Sequence, residues 1–210
     1  MHARLLYVMD PMCSWCWGFA PVLESLAEQA AAAGVPLHLV LGGLRRDGVA
    51  IDTAARVRYL GYWQAVNAST GQLFNFEQGL PEGLVYDTEP ACRALVTARS
   101  LDVNSVWPLA KLIQQAFYTQ GVDVTRASVL VDLAERAGIP RIVFAEAFDS
   151  AEQRAATLAD FSWVQDLGIS GFPTLLAERN GQLALLTNGY QPLEVLAPLL
   201  GRWLERAAHA

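Results

Sequence analysis

The stretch that decides the fold is Tyr7-Val-Met-Asp-Pro-Met-Cys13-Ser-Trp-Cys16-Trp-Gly18, because it leads from an apolar run into two closely spaced cysteines. The run Arg4–Met9 has the length and apolarity of a strand buried on both faces. A helix is predicted after it, and then a second strand at Leu37–Leu41. This helix is predicted because apolar residues recur at helical spacing, at Leu23, Leu26, Ala27 and Ala30. Gly34 is predicted to end it. The opening of the chain is therefore predicted to be a βαβ unit with parallel strands.

Helix signals replace strand signals from Asp52 to Gly168. Helix starts are predicted at Asp52 or Thr53, at Thr88, at Thr125, at Pro140 and at Ser150, where Ser150-Ala-Glu-Gln153 fits a capping box. We interpret residues 51–167 as an inserted helical subdomain. Residues 1–50 and 168–210 would then form the core.

The last part of the chain returns to strands. Thr174–Arg179 and Gln182–Thr187 are separated by Asn180-Gly181, which is a signal for a type I′ hairpin. A closing amphipathic helix is predicted over Pro192–Arg206. The expected order is βαβ, helical insertion, ββα, which makes an α/β fold.

Composition excludes several classes of protein. The chain has 210 residues, of which 53% are hydrophobic and 17% charged, so it can form a core and is not disordered. The net charge of −6, the single lysine and the lack of a basic run argue against nucleic-acid and anionic-membrane partners. No apolar stretch approaches the ~18 residues of a membrane span, and the short run Leu5–Met9 does not resemble a secretory signal. We therefore expect a soluble, cytoplasmic protein.

Cys13 and Cys16 are the main candidates for chemistry. Unsatisfied N–H groups and the helix dipole stabilise an anion at a helix N-terminus, so a thiolate is favoured there. The second thiol lies about one helical turn away, where it can attack a mixed disulfide made by the first. We assign Cys13 as the attacking cysteine and Cys16 as the resolving cysteine.

Other interpretations of the cysteines stay open. A zinc site would need ligands from Cys92 and the three histidines, His2, His38 and His209, which do not show ligand spacing, and an inert pair of core thiols is a further alternative. Cys92 is either a packed side chain or a third redox thiol. Asp10 is either a turn residue or a proton acceptor. Gly42-Gly43 lacks the spacing of a dinucleotide or phosphate loop, so no nucleotide cofactor is expected. We expect an enzyme that works without a metal or an organic cofactor.

A βαβ unit with Cys-x-x-Cys, followed much later by Gly171-Phe-Pro-Thr174 and a ββα unit, resembles the thioredoxin superfamily. The long insertion, the opening motif and Tyr86-Asp-Thr-Glu-Pro-Ala-Cys-Arg93 are similar to cytoplasmic members of the DsbA-like branch. This resemblance implies roles for Cys13, Cys16 and a cis Pro173 that faces them. With Trp15 and Phe172, and with Phe74 or Phe76, the insertion would form an apolar groove for substrates. A strand edge at Phe172-Pro173 would pair with an extended peptide.

The resemblance also implies a direction for the chemistry. Ser14-Trp15 replaces the Pro-His dipeptide of the periplasmic oxidases, so we expect an enzyme that reduces or isomerises disulfides. Its partners would be protein or small-molecule disulfides and thiols, with glutathione or thioredoxin as the electron donor. The alternatives are a glutathione-dependent isomerase or transferase of the kappa-class or 2-hydroxychromene-2-carboxylate isomerase type, and a non-catalytic thiol- or metal-binding module. Serine replaces the first cysteine in those glutathione enzymes, so the presence of Cys13 argues against that type.

Overall fold

The computed structural model describes residues 3–208 as a four-stranded sheet flanked by helices. The elements follow in the order β1 (Ala3–Met9), α1 (Ser14–Ala32), β2 (Leu37–Leu41), β3 (Arg46–Ala50), α2 (Thr53–Thr70), β4 (Val85–Asp87), α3 (Glu89–Leu101), a 3₁₀ turn (Val103–Ser105), α4 (Val106–Gln120), α5 (Ala127–Arg136), α6 (Arg141–Asp149), α7 (Ala151–Asp166), β5 (Thr174–Arg179), β6 (Gln182–Asn188) and α8 (Leu193–Ala208). The predicted α/β class and the order βαβ, helical insertion, ββα are confirmed.

The main sheet has the strand order β2-β1-β5-β6. The apolar residues of β1 are buried, because β1 lies between two strands in the middle of the sheet. It pairs in parallel with β2, with Tyr7 opposite Leu39, and antiparallel with β5, with Tyr7 opposite Leu175. This sheet fixes where the turn after Met9 emerges and therefore where the cysteines lie.

The hairpin between β5 and β6 forms as predicted. Asn180 and Gly181 have φ angles of 50° and 81°, the positive values that a type I′ turn requires. α8 then packs along α1, and the side chain of Gln29 donates to the carbonyl oxygen of Ala197 at 3.1 Å. The C-terminal half of the sheet is thereby held against the helix that begins beside the cysteines.

Helices α2 to α7 form the insertion and share an aromatic cluster with the core. Trp63 contacts Phe117 and Tyr118, with ring centroids 5.9 and 5.2 Å apart. Trp17 of α1 stacks on Tyr118 at 6.1 Å. None of the helices in residues 3–208 is both long enough and apolar enough to cross a membrane.

Three details differ from the sequence analysis. A small antiparallel sheet joins β3 to β4, although no strand was expected between Leu41 and Thr174; β4 has only three residues and gives almost no periodic signal. Helix α5 begins at Ala127 and not at Thr125, because both the backbone N–H and the hydroxyl of Thr125 bond to the carboxylate of Asp123. The predicted caps Asp52 and Ser150 do accept hydrogen bonds from Ala55 and Gln153. The predicted cap Thr88 does not, since its side chain makes no capping bond and its hydroxyl donates to Asp10.

Candidate active site

Cys13 and Cys16 lie at the start of α1. Cys13 is the N-cap residue with an extended backbone, and its N–H bonds to the carbonyl oxygen of Asp10 at 3.0 Å. Its own carbonyl oxygen accepts from the N–H of Trp17, while Cys16 lies in the first turn. The turn after β1 therefore places both sulfur atoms at the N-terminal end of a 19-residue helix.

The two thiols differ in their surroundings. Cys13 is 6% exposed, and its sulfur lies 3.7 Å from the carbonyl oxygen of Phe172. Cys16 is 1% exposed; burial, and then a hydrogen bond with Cys13, raise the pKa of its thiol well above the ordinary value. Burial, and then the nearby thiols of Cys16 and Cys13, raise the pKa of the Tyr7 hydroxyl well above its ordinary value. The sequence analysis gave no role to Tyr7.

The loop before β5 meets this helix end. The peptide bond between Phe172 and Pro173 is cis, and Pro173 is buried. The carbonyl oxygen of Pro173 accepts from the N–H of Gly189 at 2.7 Å. The ring of Phe172 lies so close to Gly42 that a Cβ atom there would overlap it. Gly42 is therefore a site of close approach, a role the sequence analysis did not find.

Pairing of an extended peptide at Phe172-Pro173 stays a prediction. Phe172 and Pro173 form a bend before β5, and β5 is an interior strand between β1 and β6. Its backbone groups are therefore paired within the sheet. The Phe172 carbonyl oxygen faces Cys13 instead.

The aromatic residues expected to form a substrate groove lie in two places. Trp15 is half-buried with its ring 5.9 Å from that of Tyr190, and Phe172 lies beside Cys13. Phe74 belongs to the aromatic cluster, 5.4 Å from Tyr118, with Phe76 packed against it at 5.8 Å. The structure thus brings Cys13, Cys16, Phe172 and Pro173 together. Trp15 flanks the helix start.

Asp10 holds three segments together beneath the cysteines. It is fully buried, and one carboxylate oxygen accepts from the N–H of Met12 at 2.8 Å. The other accepts from the N–H of Leu44 at 2.7 Å, the hydroxyl of Thr88 at 2.5 Å and the thiol of Cys92 at 3.3 Å. Burial raises the pKa of Asp10, although these hydrogen bonds oppose the shift.

Cys92 lies on the far side of this carboxylate. Burial, and then the charge of Asp10, raise the pKa of its thiol well above the ordinary value. Thr88 and Cys92 are four residues apart at the start of α3, so they face the same way, and this spacing was the available sequence signal. Tyr86, also missed, donates from its hydroxyl to the carbonyl oxygen of Met12 at 2.7 Å and so fixes the residue before Cys13.

The described residues that were considered for a metal do not form a site. Within residues 3–208 no group of three or more histidine, cysteine or acidic side chains is arranged to hold an ion. His38 is exposed on the edge strand β2, and His2 and His209 lie outside the described residues.

A βαβ and a ββα unit around one sheet, with a dithiol at the start of the first helix, define a thioredoxin-like protein. Within that class, the family model described as DSBA-like thioredoxin domain matches residues 4–201. The chain therefore belongs to the DSBA-like thioredoxin family. A comparison with curated proteins gave no match.

Solved structures resemble the chain over nearly its whole length. A candidate protein disulfide isomerase from Nitrosomonas europaea has 41% sequence identity and a TM-score of 0.91, covering 98% of this chain and 99% of that one. The cytosolic disulfide reductase DsbM from Pseudomonas aeruginosa has 29% identity and a TM-score of 0.78, covering 95% and 98% of the two chains. A structure of DsbM with GSH has 26% identity, a TM-score of 0.75 and coverage of 99% and 100%.

Proposed function

We propose that the protein is a dithiol-disulfide oxidoreductase that reduces or isomerises disulfides in the cytoplasm. The observation that carries the proposal is the contrast between the two thiols at the start of α1. Cys13 lies beside the carbonyl oxygen of Phe172 and is 6% exposed, whereas Cys16 is 1% exposed. An attacking thiol must reach a substrate, whereas a resolving thiol needs to reach only the first sulfur.

The reaction proceeds in two exchanges. The Cys13 thiolate attacks one sulfur of the substrate disulfide, a Cys13 mixed disulfide forms, and the other substrate sulfur leaves as a thiolate. The Cys16 thiolate then attacks the Cys13 sulfur, a Cys13–Cys16 disulfide forms, and the second substrate sulfur leaves. The substrate gains the two electrons that the enzyme dithiol loses.

Two molecules of glutathione would restore the dithiol and form one molecule of glutathione disulfide. The likeness to cytosolic DsbM, of which one structure contains GSH, supports this donor. Thioredoxin is the alternative donor. Trp15 and Phe172, which flank the helix start, would supply apolar contacts to the substrate.

The redox potential should favour reduction. Ser14-Trp15 brings no positive charge to the thiolate, so we expect a value between ~−270 mV, as in thioredoxin, and ~−120 mV, as in DsbA, and nearer the first. Equilibration of the protein in glutathione buffers, read by intact mass, measures it. A potential close to that of DsbA would contradict a reducing role.

Turnover assays separate the candidate functions. We expect glutathione-dependent reduction of insulin and refolding of a scrambled disulfide protein. A 2-hydroxychromene-2-carboxylate isomerase is similar in fold, at 13% identity and a TM-score of 0.66, so isomerisation of that substrate and glutathione conjugation are assayed in parallel. Activity only in those two assays, or stoichiometric metal with no turnover, would overturn the proposal.

A further inference from the structure

A tyrosine of the helical insertion contacts the backbone that leads into Cys13. Tyr86 is the middle residue of β4 and is 4% exposed, and its hydroxyl donates to the carbonyl oxygen of Met12 at 2.7 Å. Met12 is fully buried. Because the Met12 carbonyl carbon is bonded to the nitrogen of Cys13, this hydrogen bond acts on the peptide unit that enters the attacking cysteine.

Helix α1 does not use the Met12 carbonyl oxygen. Cys13 is the N-cap residue, and the N-cap carbonyl is the first that a helix employs. The N–H of Trp17 bonds to it at 3.2 Å. Met12 precedes the N-cap, so its buried carbonyl oxygen needs a donor from elsewhere in the fold. Tyr86 supplies that donor.

The Met12–Cys13 peptide unit is therefore held at both ends. Its oxygen accepts from Tyr86, and its N–H, which belongs to Cys13, bonds to the carbonyl oxygen of Asp10 at 3.0 Å. One peptide earlier, the N–H of Met12 bonds to the Asp10 carboxylate at 2.8 Å. Loss of the Tyr86 hydroxyl would keep the two N–H bonds and release the oxygen, which would allow the peptide unit to rotate and the Cys13 backbone to shift.

The Tyr86 hydroxyl is held by its own surroundings. The backbone of Tyr86 lies in the small sheet of β3 and β4. Its ring packs against Tyr59 and Phe117, with ring centroids 4.9 and 6.0 Å apart. Because packing fixes the ring, the hydroxyl restrains the Met12 carbonyl oxygen relative to the rest of the fold.

This restraint bears on the disulfide between Cys13 and Cys16. A disulfide needs an S–S distance of about 2.05 Å and Cβ atoms roughly 3.5 to 4.5 Å apart. Cys16 lies within the first turn of α1, so the helix sets its position. Cys13 precedes the helix and has an extended backbone, with φ of −89° and ψ of 116°, so the incoming chain sets its position.

We propose that Tyr86 is a positioning residue of the dithiol, whose hydroxyl holds the Met12–Cys13 peptide so that the Cys13 sulfur stays within bonding reach of Cys16. This role rests on the dithiol chemistry proposed above. It concerns the second exchange, in which Cys16 must meet the Cys13 sulfur, and not the first, in which Cys13 meets a free disulfide.

The test is rapid-quench kinetics of the reduced protein with glutathione disulfide, read by intact mass. In the first exchange the Cys13 thiolate bonds to one glutathione sulfur, and the other glutathione leaves as a thiolate. In the second, the Cys16 thiolate attacks the Cys13 sulfur, the bound glutathione leaves, and the protein disulfide forms. The dithiol loses the two electrons that glutathione disulfide gains.

Tyr86→Phe should slow the second exchange by about fivefold, which is the effect of one lost hydrogen bond, and leave the first within about twofold of wild type. Only the second depends on the relative position of the two protein sulfurs. Glutathione-linked Cys13 should therefore accumulate in this variant. Tyr86→p-aminophenylalanine retains a donor on the ring and should restore the wild-type rate.

Two control variants remove a buried hydroxyl elsewhere. Tyr118→Phe is the matched change, because Tyr118 is fully buried against Phe117, as Tyr86 is, and its hydroxyl makes no hydrogen bond with any described residue. Thr157→Val removes a buried hydroxyl that donates to the carbonyl oxygen of Gln153 in α7 at 2.7 Å, so it reports the effect of lost stability alone. Both should complete the second exchange within about twofold of wild type.

Circular dichroism checks that each variant is folded. If Tyr86→Phe is not folded in buffer, all variants are compared in trimethylamine N-oxide, which favours the compact state. Equal rates of the second exchange in Tyr86→Phe and wild type would overturn the role of Tyr86 and leave the proposed function intact. An equal slowing in Tyr118→Phe or Thr157→Val would also overturn it, since the effect would not depend on the bond to Met12.

Failure of the proposed function gives a different result. A wild-type protein that forms no disulfide between Cys13 and Cys16 would overturn both proposals. A wild-type protein that forms this disulfide, with the second exchange slowed only in Tyr86→Phe, but does not reduce insulin would support the role of Tyr86 and contradict the reductase function alone.

Discussion

Two thiol regions lie close together in this protein and differ in the charge that each one faces. At the start of α1, the Cys13 sulfur faces a helix N-terminus and a carbonyl oxygen. At the start of α3, the Cys92 sulfur faces the carboxylate of Asp10 at 3.3 Å. A helix N-terminus stabilises a thiolate, whereas an adjacent carboxylate disfavours one.

The comparison shows that burial alone does not assign a function to a cysteine. Cys16 and Cys92 are both buried, and burial is the largest cause that raises the pKa of each. Cys16 differs because its neighbour is another thiol, with which it can form a bond. We therefore expect Cys13 and Cys16 to be the redox pair and Cys92 to remain a hydrogen-bond donor.

The largest effect is expected from Cys13→Ser. Because a serine hydroxyl cannot form a mixed disulfide, insulin reduction should fall to the level of the buffer control. In wild type, mass spectrometry after brief treatment with iodoacetamide should find Cys13 modified before Cys16 and Cys92. Residual turnover in Cys13→Ser, or earlier alkylation of Cys92, would reverse the comparison between the two regions.

Cys16→Ser should convert turnover into a trapped intermediate. Without a resolving thiol, the mixed disulfide between Cys13 and the substrate persists, and intact mass spectrometry detects it. The control is Cys16→Ser combined with Cys92→Ala, which should trap the same amount. More trapped species in the double variant would mean that Cys92 can resolve the intermediate.

Asp10→Asn should lower the free energy of unfolding by about 1 to 3 kcal/mol, because the new amide nitrogen faces groups that donate hydrogen bonds to the carboxylate. Burial raises the pKa of Asp10 in the folded state above its ordinary value of about 3.9. The protonation of Asp10 therefore contributes fully to the free energy of unfolding at a pH below about 3.9, and this contribution is lost as the pH rises through the pKa of Asp10 in the folded protein. The difference between wild type and variant in urea unfolding should therefore shrink with rising pH.

Asp10→Asn should affect activity as well as stability. Asp10 fixes the turn before Cys13 through the N–H of Met12, so insulin reduction by folded Asp10→Asn should also fall. If Asp10→Asn is as stable and as active as wild type at every pH, the Asp10 carboxylate does not fix the turn before Cys13.

The smallest effect is expected from Cys92→Ala. The loss of one buried sulfur and one hydrogen bond should lower the free energy of unfolding by about 1 kcal/mol, while the rate of insulin reduction stays within about twofold. Cys92→Ser retains a donor to Asp10, so its free energy of unfolding in urea should lie between those of wild type and Cys92→Ala. A large loss of activity in Cys92→Ala would contradict the division into one redox region and one structural region.

The elements predicted from the sequence are those that short-range patterns specify. The apolar run of β1, the Asn180-Gly181 turn and the cap at Ser150 depend on neighbours within a few residues. The cysteine pair was found for the same reason, because a strand and a helix start adjoin it.

The features that were missed depend on residues far apart in the chain. Asp10 bonds to residues 34, 78 and 82 positions away, and its role becomes visible only when Leu44, Thr88 and Cys92 converge. The need for a glycine at position 42 arises from a ring at position 172. The position of the bend at Phe172-Pro173 depends on where β5 enters the sheet.

The small sheet of β3 and β4 ties residues before position 51 to the helical insertion. Besides the β3–β4 ladder, the N–H of Ile51 bonds to the carbonyl oxygen of Leu84 and that of Thr88 to the carbonyl oxygen of Arg45, both at 2.9 Å. Arg46–Ala50 is therefore fastened to the helical insertion. The chain passes from the main sheet to this ladder beside Gly43, with its φ of 67°, and so next to the glycine that contacts the ring of Phe172.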